Sequence, residues 1–213
     1  NVGYPISVAR GAYWLGKSYK ALGETKISQK YFQEGSQFLT TYYGQLSLKE
    51  LETEPSINLN ENTSFTKDYE KEFLKNKFIR IVKILKELDQ TKYSKDVIKY
   101  LASLNIEEGS EILAARLAVE VERYDYAIQI SKKASYEKRF YNKFNYPIIN
   151  TPRILKGKSM PSQEIILAIT RQESEFDPEA NSYAGAKGMM QLMTFTAKLV
   201  AKQMDVTYSK RKL

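Results

Sequence analysis

The two side chains that most often carry proton or nucleophile chemistry near neutral pH are missing from this chain. Its 213 residues include no histidine and no cysteine. That excludes Ser-His-Asp and Cys-His catalysis, HExxH metal chemistry, Cys- or His-ligated metals and a disulfide scaffold. Proton transfer is left to Asp, Glu, Lys or Tyr, and the carboxylate that stands out is Glu173. The spacing predicts a helix from Pro161 to about Ser174, with Ile166, Ile169 and Thr170 on one stripe. Glu173 continues that stripe at three, four and seven residues. A glutamate on an apolar face is unusual. Burial there and the carbonyl end of the helix would both disfavour its ionised form, the condition a general acid near neutrality needs. The alternative is a partly exposed Glu173 paired with Arg171 or a lysine, and periodicity alone favours it. Glu175, Asp177 and Glu179 read as solvated loop acids, with Asp177, just ahead of Pro178, suited to capping a helix.

The elements that must carry this residue read as helices throughout. Val8, Ala12, Leu15, Tyr19 and Leu22 recur three and four apart, with Gly23 as the stop. A second helix is expected over 26–43. Leu15-Gly16, Tyr19, Gly23, Ser28, Phe32 and Gly35 fall where a tetratricopeptide hairpin places them. Leu15, Tyr19 and Phe32 are therefore expected in the core, with Gly16 and Gly35 at close helix contacts. Residues 53–66 read as a loop. Helices are expected again over 69–88, 94–104, 110–121 and 124–134, the last two forming a hairpin with its bend at Arg123–Asp125. No useful β-alternation appears. Pro147, Pro152, Gly157 and Pro161 mark a linker, Pro161 suits the first turn of the next helix, and a last helix is expected over 188–203. The reading is all-α: a superhelix of TPR-like hairpins over 1–140, with a second domain over 141–213.

Composition narrows the partners. Lys and Arg outnumber Asp and Glu by 33 to 25, a net charge of +8. The excess is scattered apart from Lys210-Arg211-Lys212, so it reads as a solvated lysine-rich surface rather than a nucleic-acid stripe. It would still favour a polyanionic surface. No apolar run approaches the ~20 residues that a membrane-spanning helix needs.

Arg171-Gln172-Glu173-Ser174-Glu175-Phe176-Asp177-Pro178, followed by Asn181-Ser182-Tyr183-Ala184-Gly185-Ala186-Lys187-Gly188-Met189-Met190-Gln191-Leu192-Met193, resembles the soluble lytic transglycosylases. Met189 stands where their pattern has Leu, Thr194 where it has Pro, and Thr196-Ala197 matches again. Ala9–Gly16, Thr41–Leu46 and Tyr146-Pro147-Ile148 resemble the helical superhelix of that family and its approach to the catalytic domain. The resemblance implies a lysozyme-like fold, of which 141–213 is the first part, and a chain that is a piece of a longer enzyme. It implies cleavage of the β-1,4 bond between N-acetylmuramic acid and N-acetylglucosamine in peptidoglycan, with a 1,6-anhydro product. Glu173 acts as acid and then base. By matching position Ser182 hydrogen-bonds near the acid or the sugar, Gln191 meets an N-acetyl group and Met193 lines the sugar cleft. No cofactor or metal is implied. The implied partners are glycan strands of peptidoglycan and other cell-wall enzymes, with no nucleic acid, in the periplasm or cell envelope. Two alternatives remain: a hydrolytic muramidase using Asp177 or Glu179 as the second carboxylate, and a non-catalytic helical-repeat scaffold with a degenerate lysozyme-like remnant.

Overall fold

The computed structural model describes residues 3–52, 65–104, 107–137, 139–151 and 161–209. The expected loop over 53–66 therefore falls almost wholly outside the described residues. So do Pro152, Gly157 and the Lys210-Arg211-Lys212 cluster. Among the described residues the regular structure is helical, and the only β pairing is two isolated antiparallel bridges. The chain divides into two compact units, one of residues 1–62 with 131–143, the other of 63–130 with 144–213.

In the first unit, α1 (Pro5–Ala21) starts on a proline, whose missing N–H costs nothing in a first turn. It stops before Gly23, which takes φ +77°. α2 (Thr25–Ser36) returns against it, and α3 (Tyr42–Glu50) packs on both. The single helix expected over 26–43 is thus two helices. The Thr41 hydroxyl accepts the Gly44 amide at 3.0 Å, opening a new helix where periodicity alone shows no break. Phe32 is buried as expected, with its ring laid on Gly16, where an added Cβ would come within 2.6 Å of it. Gly35 likewise packs closely against Ser47, and the Ser28 hydroxyl donates to the Gly16 carbonyl at 2.9 Å. Leu15 is a correction. It is 44% exposed, because the neighbouring Gly16, not Leu15, faces α2. Tyr19 is half-buried and stacks on Tyr31 at 5.5 Å.

In the second unit, α4 (Lys67–Leu74) and α5 (Lys77–Glu87) replace the one helix expected over 69–88. The Asn76 side chain accepts the Phe78 amide at 3.0 Å and restarts the helix there. A 3-10 turn (Thr91–Ser94) leads into α6 (Lys95–Ser103). α7 (Glu111–Glu120) is buried along almost its whole length. After a bend comes α8 (Tyr124–Tyr136), which passes into the first unit at Ser131, then a short α9 (Asn142–Asn145), which re-enters the second unit at Phe144, and α10 (Gln163–Ser174) and α11 (Thr194–Gln203). Ser162 is the N-cap of α10, so Pro161 lies just before the helix rather than in its first turn. The last helix begins at Thr194, six residues later than expected. The stretch before it is held in a turn by the side chains described next.

Candidate active site

Glu173 sits in the last turn of α10 and is exposed. Its expected burial is corrected: of the stripe it continues, Thr170 is buried and Ile166 half-buried, but Ile169, one turn before Glu173, is 44% exposed. α10 buries Thr170 and leaves the last turn of the stripe open. Leu167, Ala168 and Arg171 border a cavity of about 180 Å³ with Tyr146, Pro147, Ile148, Glu164 and Phe176. The Arg171 guanidinium donates to the Asn145 carbonyl at 2.6 Å and to its side-chain oxygen at 3.3 Å, and stacks 4.6 Å above the Tyr146 ring. Burial pushes the Tyr146 phenol up, and Arg171 opposes that only in part. Arg171 is thus engaged elsewhere and does not pair with Glu173. Among the described residues the Glu173 carboxylate makes no hydrogen bond or ion pair, which leaves it available to a ligand.

The turn carrying Glu173 is pinned from both sides. The Ser174 hydroxyl donates to the Met189 carbonyl at 2.8 Å, and the Thr170 hydroxyl lies 2.8 Å from the Met190 sulfur. α10 ends because Glu175 and Phe176 take left-handed φ values of 57° and 68°. Only glycine adopts that region freely, so two such residues in succession turn the chain sharply. The turn drives the Phe176 ring into the core.

Asp177 and Glu179 are not simply solvated. Arg123, buried at the α7–α8 bend, makes a two-pronged pair with Asp125 at 2.9 and 2.7 Å and lies 4.1 Å over the Tyr126 ring. The same guanidinium reaches Asp177 at 3.3 Å and Glu179 at 3.6 Å. Burial works against the Arg123 charge, but the hydrogen bonds and charge of Asp125, with Tyr126 and Asp177, hold its pKa above the ordinary value. Asp177 caps no helix. Its side chain accepts the Glu179 amide at 3.0 Å, a local turn. Sequence reasoning placed Arg123 at a bend and missed its reach. Arg-x-Asp at the start of a helix is visible in the sequence; the partner 54 residues on is not.

Ser182 and Gln191 brace the loop that follows. The Ser182 hydroxyl accepts the Ala186 amide at 2.9 Å and so closes a turn. The Gln191 side-chain amide donates to the Ala180 carbonyl at 3.2 Å and the Gly188 carbonyl at 2.9 Å, leaving its oxygen as an acceptor. Gln191 itself has φ +47° and lies in a turn, not on the expected helix. Reciprocal bonds between Lys187 and Leu192, at 3.1 and 3.0 Å, close that turn. Gly185 and Gly188 supply φ values of +88° and +70° where the chain reverses. Met193 is 45% exposed at the start of α11. One loop thus carries Ser182, Gln191 and Met193. It is joined to the end of α10 through Ser174 and Thr170, and Glu173 stands on that end.

Residues 152–212 match the family model described as the transglycosylase SLT domain. A stretch of 47 residues is 47% identical to a putative soluble lytic murein transglycosylase of Haemophilus influenzae, covering 22% of this chain and 8% of that protein. The fold resembles the lytic transglycosylase Slt of Pseudomonas aeruginosa, solved as an inactive mutant. The TM-score is 0.69 at 22% identity, over 96% of this chain and 33% of that one. It also resembles the 70 kDa soluble lytic transglycosylase of Escherichia coli, with a TM-score of 0.61 at 21% identity over 95% of this chain and 32% of that one. The resemblance to soluble lytic transglycosylases read from the motif therefore stands, and so does the all-α fold. The chain spans about a third of the length of the solved structures it matches.

Proposed function

We propose that the protein this chain represents is a lytic transglycosylase acting on peptidoglycan, with Glu173 as its single acid and base. The observation that carries the reading is the Glu173 carboxylate, without a partner among the described residues and held on a braced helix end inside the segment that matches the transglycosylase SLT domain. In the reading, the Glu173 carboxyl gives its proton to the glycosidic oxygen as the bond from that oxygen to the muramyl anomeric carbon breaks. The resulting carboxylate then takes the proton of the muramyl 6-hydroxyl, whose oxygen closes on the anomeric carbon. The proton count balances, no water enters, and the product is a 1,6-anhydro sugar. Ser182, Gln191 and Met193 border the sugar in this proposal, Gln191 through the side-chain oxygen that its loop bonds leave over. In this proposal residues 1–140 are the helical arm and 141–213 belong to the catalytic domain. The envelope is the site of action, where glycan strands and other cell-wall enzymes are met.

Hydrolysis through a second carboxylate is the weaker reading, since Asp177 and Glu179 both face Arg123. The test is Glu173→Gln in the intact protein, with product masses measured on peptidoglycan. The expected result is a loss of at least ~10²-fold in rate, as for removal of a general acid, and wild-type products one water lighter than hydrolysis products. Retained cleavage would refute the assignment of Glu173, and water-bearing products would refute the transglycosylase reading.

A further inference from the structure

The loop that follows Glu173 is tied to a residue far upstream of the matched domain. Arg123 lies outside residues 152–212, on the hairpin formed by α7 and α8. Its Nε and one terminal nitrogen are taken by Asp125, so its place on the hairpin is set before the loop is considered. That same terminal nitrogen, Nη2, also donates to Asp177 at 3.3 Å, and the other, Nη1, lies 3.6 Å from Glu179. From Asp177 the connections run onward through the loop. The Asp177 carbonyl accepts the Ala180 amide at 3.3 Å, and the Ala180 carbonyl accepts both the Gly188 amide at 2.9 Å and the Gln191 side chain at 3.2 Å. Every other anchor of this loop described above belongs to α10 or to the loop itself.

The charges decide what the contact can do. One guanidinium faces three carboxylates, those of Asp125, Asp177 and Glu179. With Arg123 in place each acid has an opposite charge within ion-pair range. Without it the three would repel one another across a partly buried space. The Asp125 pair is the buried one, and the Asp177 and Glu179 contacts are longer and more open. The contact to the loop is thus separate from the pair that fixes Arg123 on the hairpin.

We infer that Arg123 is a positioning residue, which acts through Asp177 to hold the loop bearing Ser182 and Gln191 in register with Glu173. For the meaning of that register, substrate contact at Ser182 and Gln191, the inference rests on the proposed function. The mechanical part does not.

The experiment uses this chain without substrate, so its outcome is independent of whether the protein proves to be a transglycosylase. Asp177→Asn keeps the shape and the acceptor for the Glu179 amide but removes the charge that Arg123 holds. Hydrogen exchange by NMR should then show about tenfold less protection at the amides of Ala186, Gly188 and Leu192. Protection at Ile128 on the hairpin should stay within twofold. The Gln191 side-chain amide, bonded to two carbonyls, should lose its slow exchange at the same time. Arg123→Lys, which keeps the charge but loses the fork, should have a loop effect in the same direction, and combining it with Asp177→Asn should add less than twofold. Unchanged loop protection in Asp177→Asn would overturn the inference. So would an equal loss at Ile128 and Gly188, which would make Arg123 a general stabiliser. Fully additive loop effects would overturn it as well, because they would show that the two residues act separately.

Discussion

The Ser174 hydroxyl donates to the Met189 carbonyl at 2.8 Å, from the residue next to Glu173. The bond joins the last turn of α10 to the loop between Phe176 and Thr194. Ser174→Ala should cost about 1 kcal/mol, the usual net worth of such a bond. Urea denaturation of the chain would measure it. A midpoint unchanged within error would show that the loop docks on α10 without this bond.

Glu173→Gln should leave stability within about 0.5 kcal/mol of wild type, since the side chain is exposed and bonded to nothing described. Thermal melts check this directly. A large shift in either direction would reveal a structural role and would confound any loss of activity.

Phe32→Ala should cost about 3–5 kcal/mol, as for other large-to-small core changes. Gly16→Ala should cost about 1–3 kcal/mol, because the new methyl would meet the Phe32 ring. The two effects should not add. With the ring gone, the methyl at position 16 has room, so the double variant should be little worse than Phe32→Ala alone. Strict additivity in melts would mean that ring and glycine do not share the contact.

Burial pushes the Tyr126 phenol well above its ordinary value, with Arg123 opposing only in part. A raised phenol favours the folded state fully below the unfolded pKa of about 10 and loses that contribution as pH climbs beyond it. Stability should therefore fall above about pH 10, and Tyr126→Phe should flatten that limb. Denaturation across pH 8 to 11 reads the slope. An identical alkaline limb in the variant would sink the explanation.

Lys20 and Lys17 both reach Glu50 at 2.9 Å and hold its carboxyl below the usual carboxylate range. A lowered carboxylate stabilises the fold above its unfolded pKa of about 4.3 and stops doing so as pH falls through the folded value. Glu50→Gln should thus weaken the chain at neutral pH and make it less sensitive to acid. Unchanged acid unfolding would show the triad to be energetically silent, as exposed pairs often are.

The helices were legible in the sequence wherever an apolar stripe repeats, as from Val8 to Leu22. What the stripe cannot show is a capping side chain. Thr41 and Asn76 each restart a helix where the period runs on undisturbed. The stretch from Gly188 to Met193 has helix-forming residues, yet Gln191 and Gly188 take positive φ and the Gln191 amide closes the turn. Those are contacts with Ala180 and Lys187, invisible to local propensity. Glu173 was singled out as a candidate by its stripe and its motif. The stripe was right at Thr170 and misled at Ile169 and Glu173, because an apolar row shows which side of a helix is apolar and not how far along it the cover extends.

Position 176 is pulled in two directions. Its backbone, at φ +68°, would be most comfortable with glycine, and its side chain fills the core beside Tyr146 and Leu167. Relieving the backbone is worth about 1–2 kcal/mol, whereas deleting a buried phenyl ring costs about 3–5 kcal/mol. Loss of the ring outweighs relief of the backbone, so an engineer seeking a tougher variant should leave this residue alone. A β-branched replacement would be the worst choice, failing both demands at once. A random library selected for folding should return aromatic residues here, an outcome that a rule based on backbone angle alone would never anticipate.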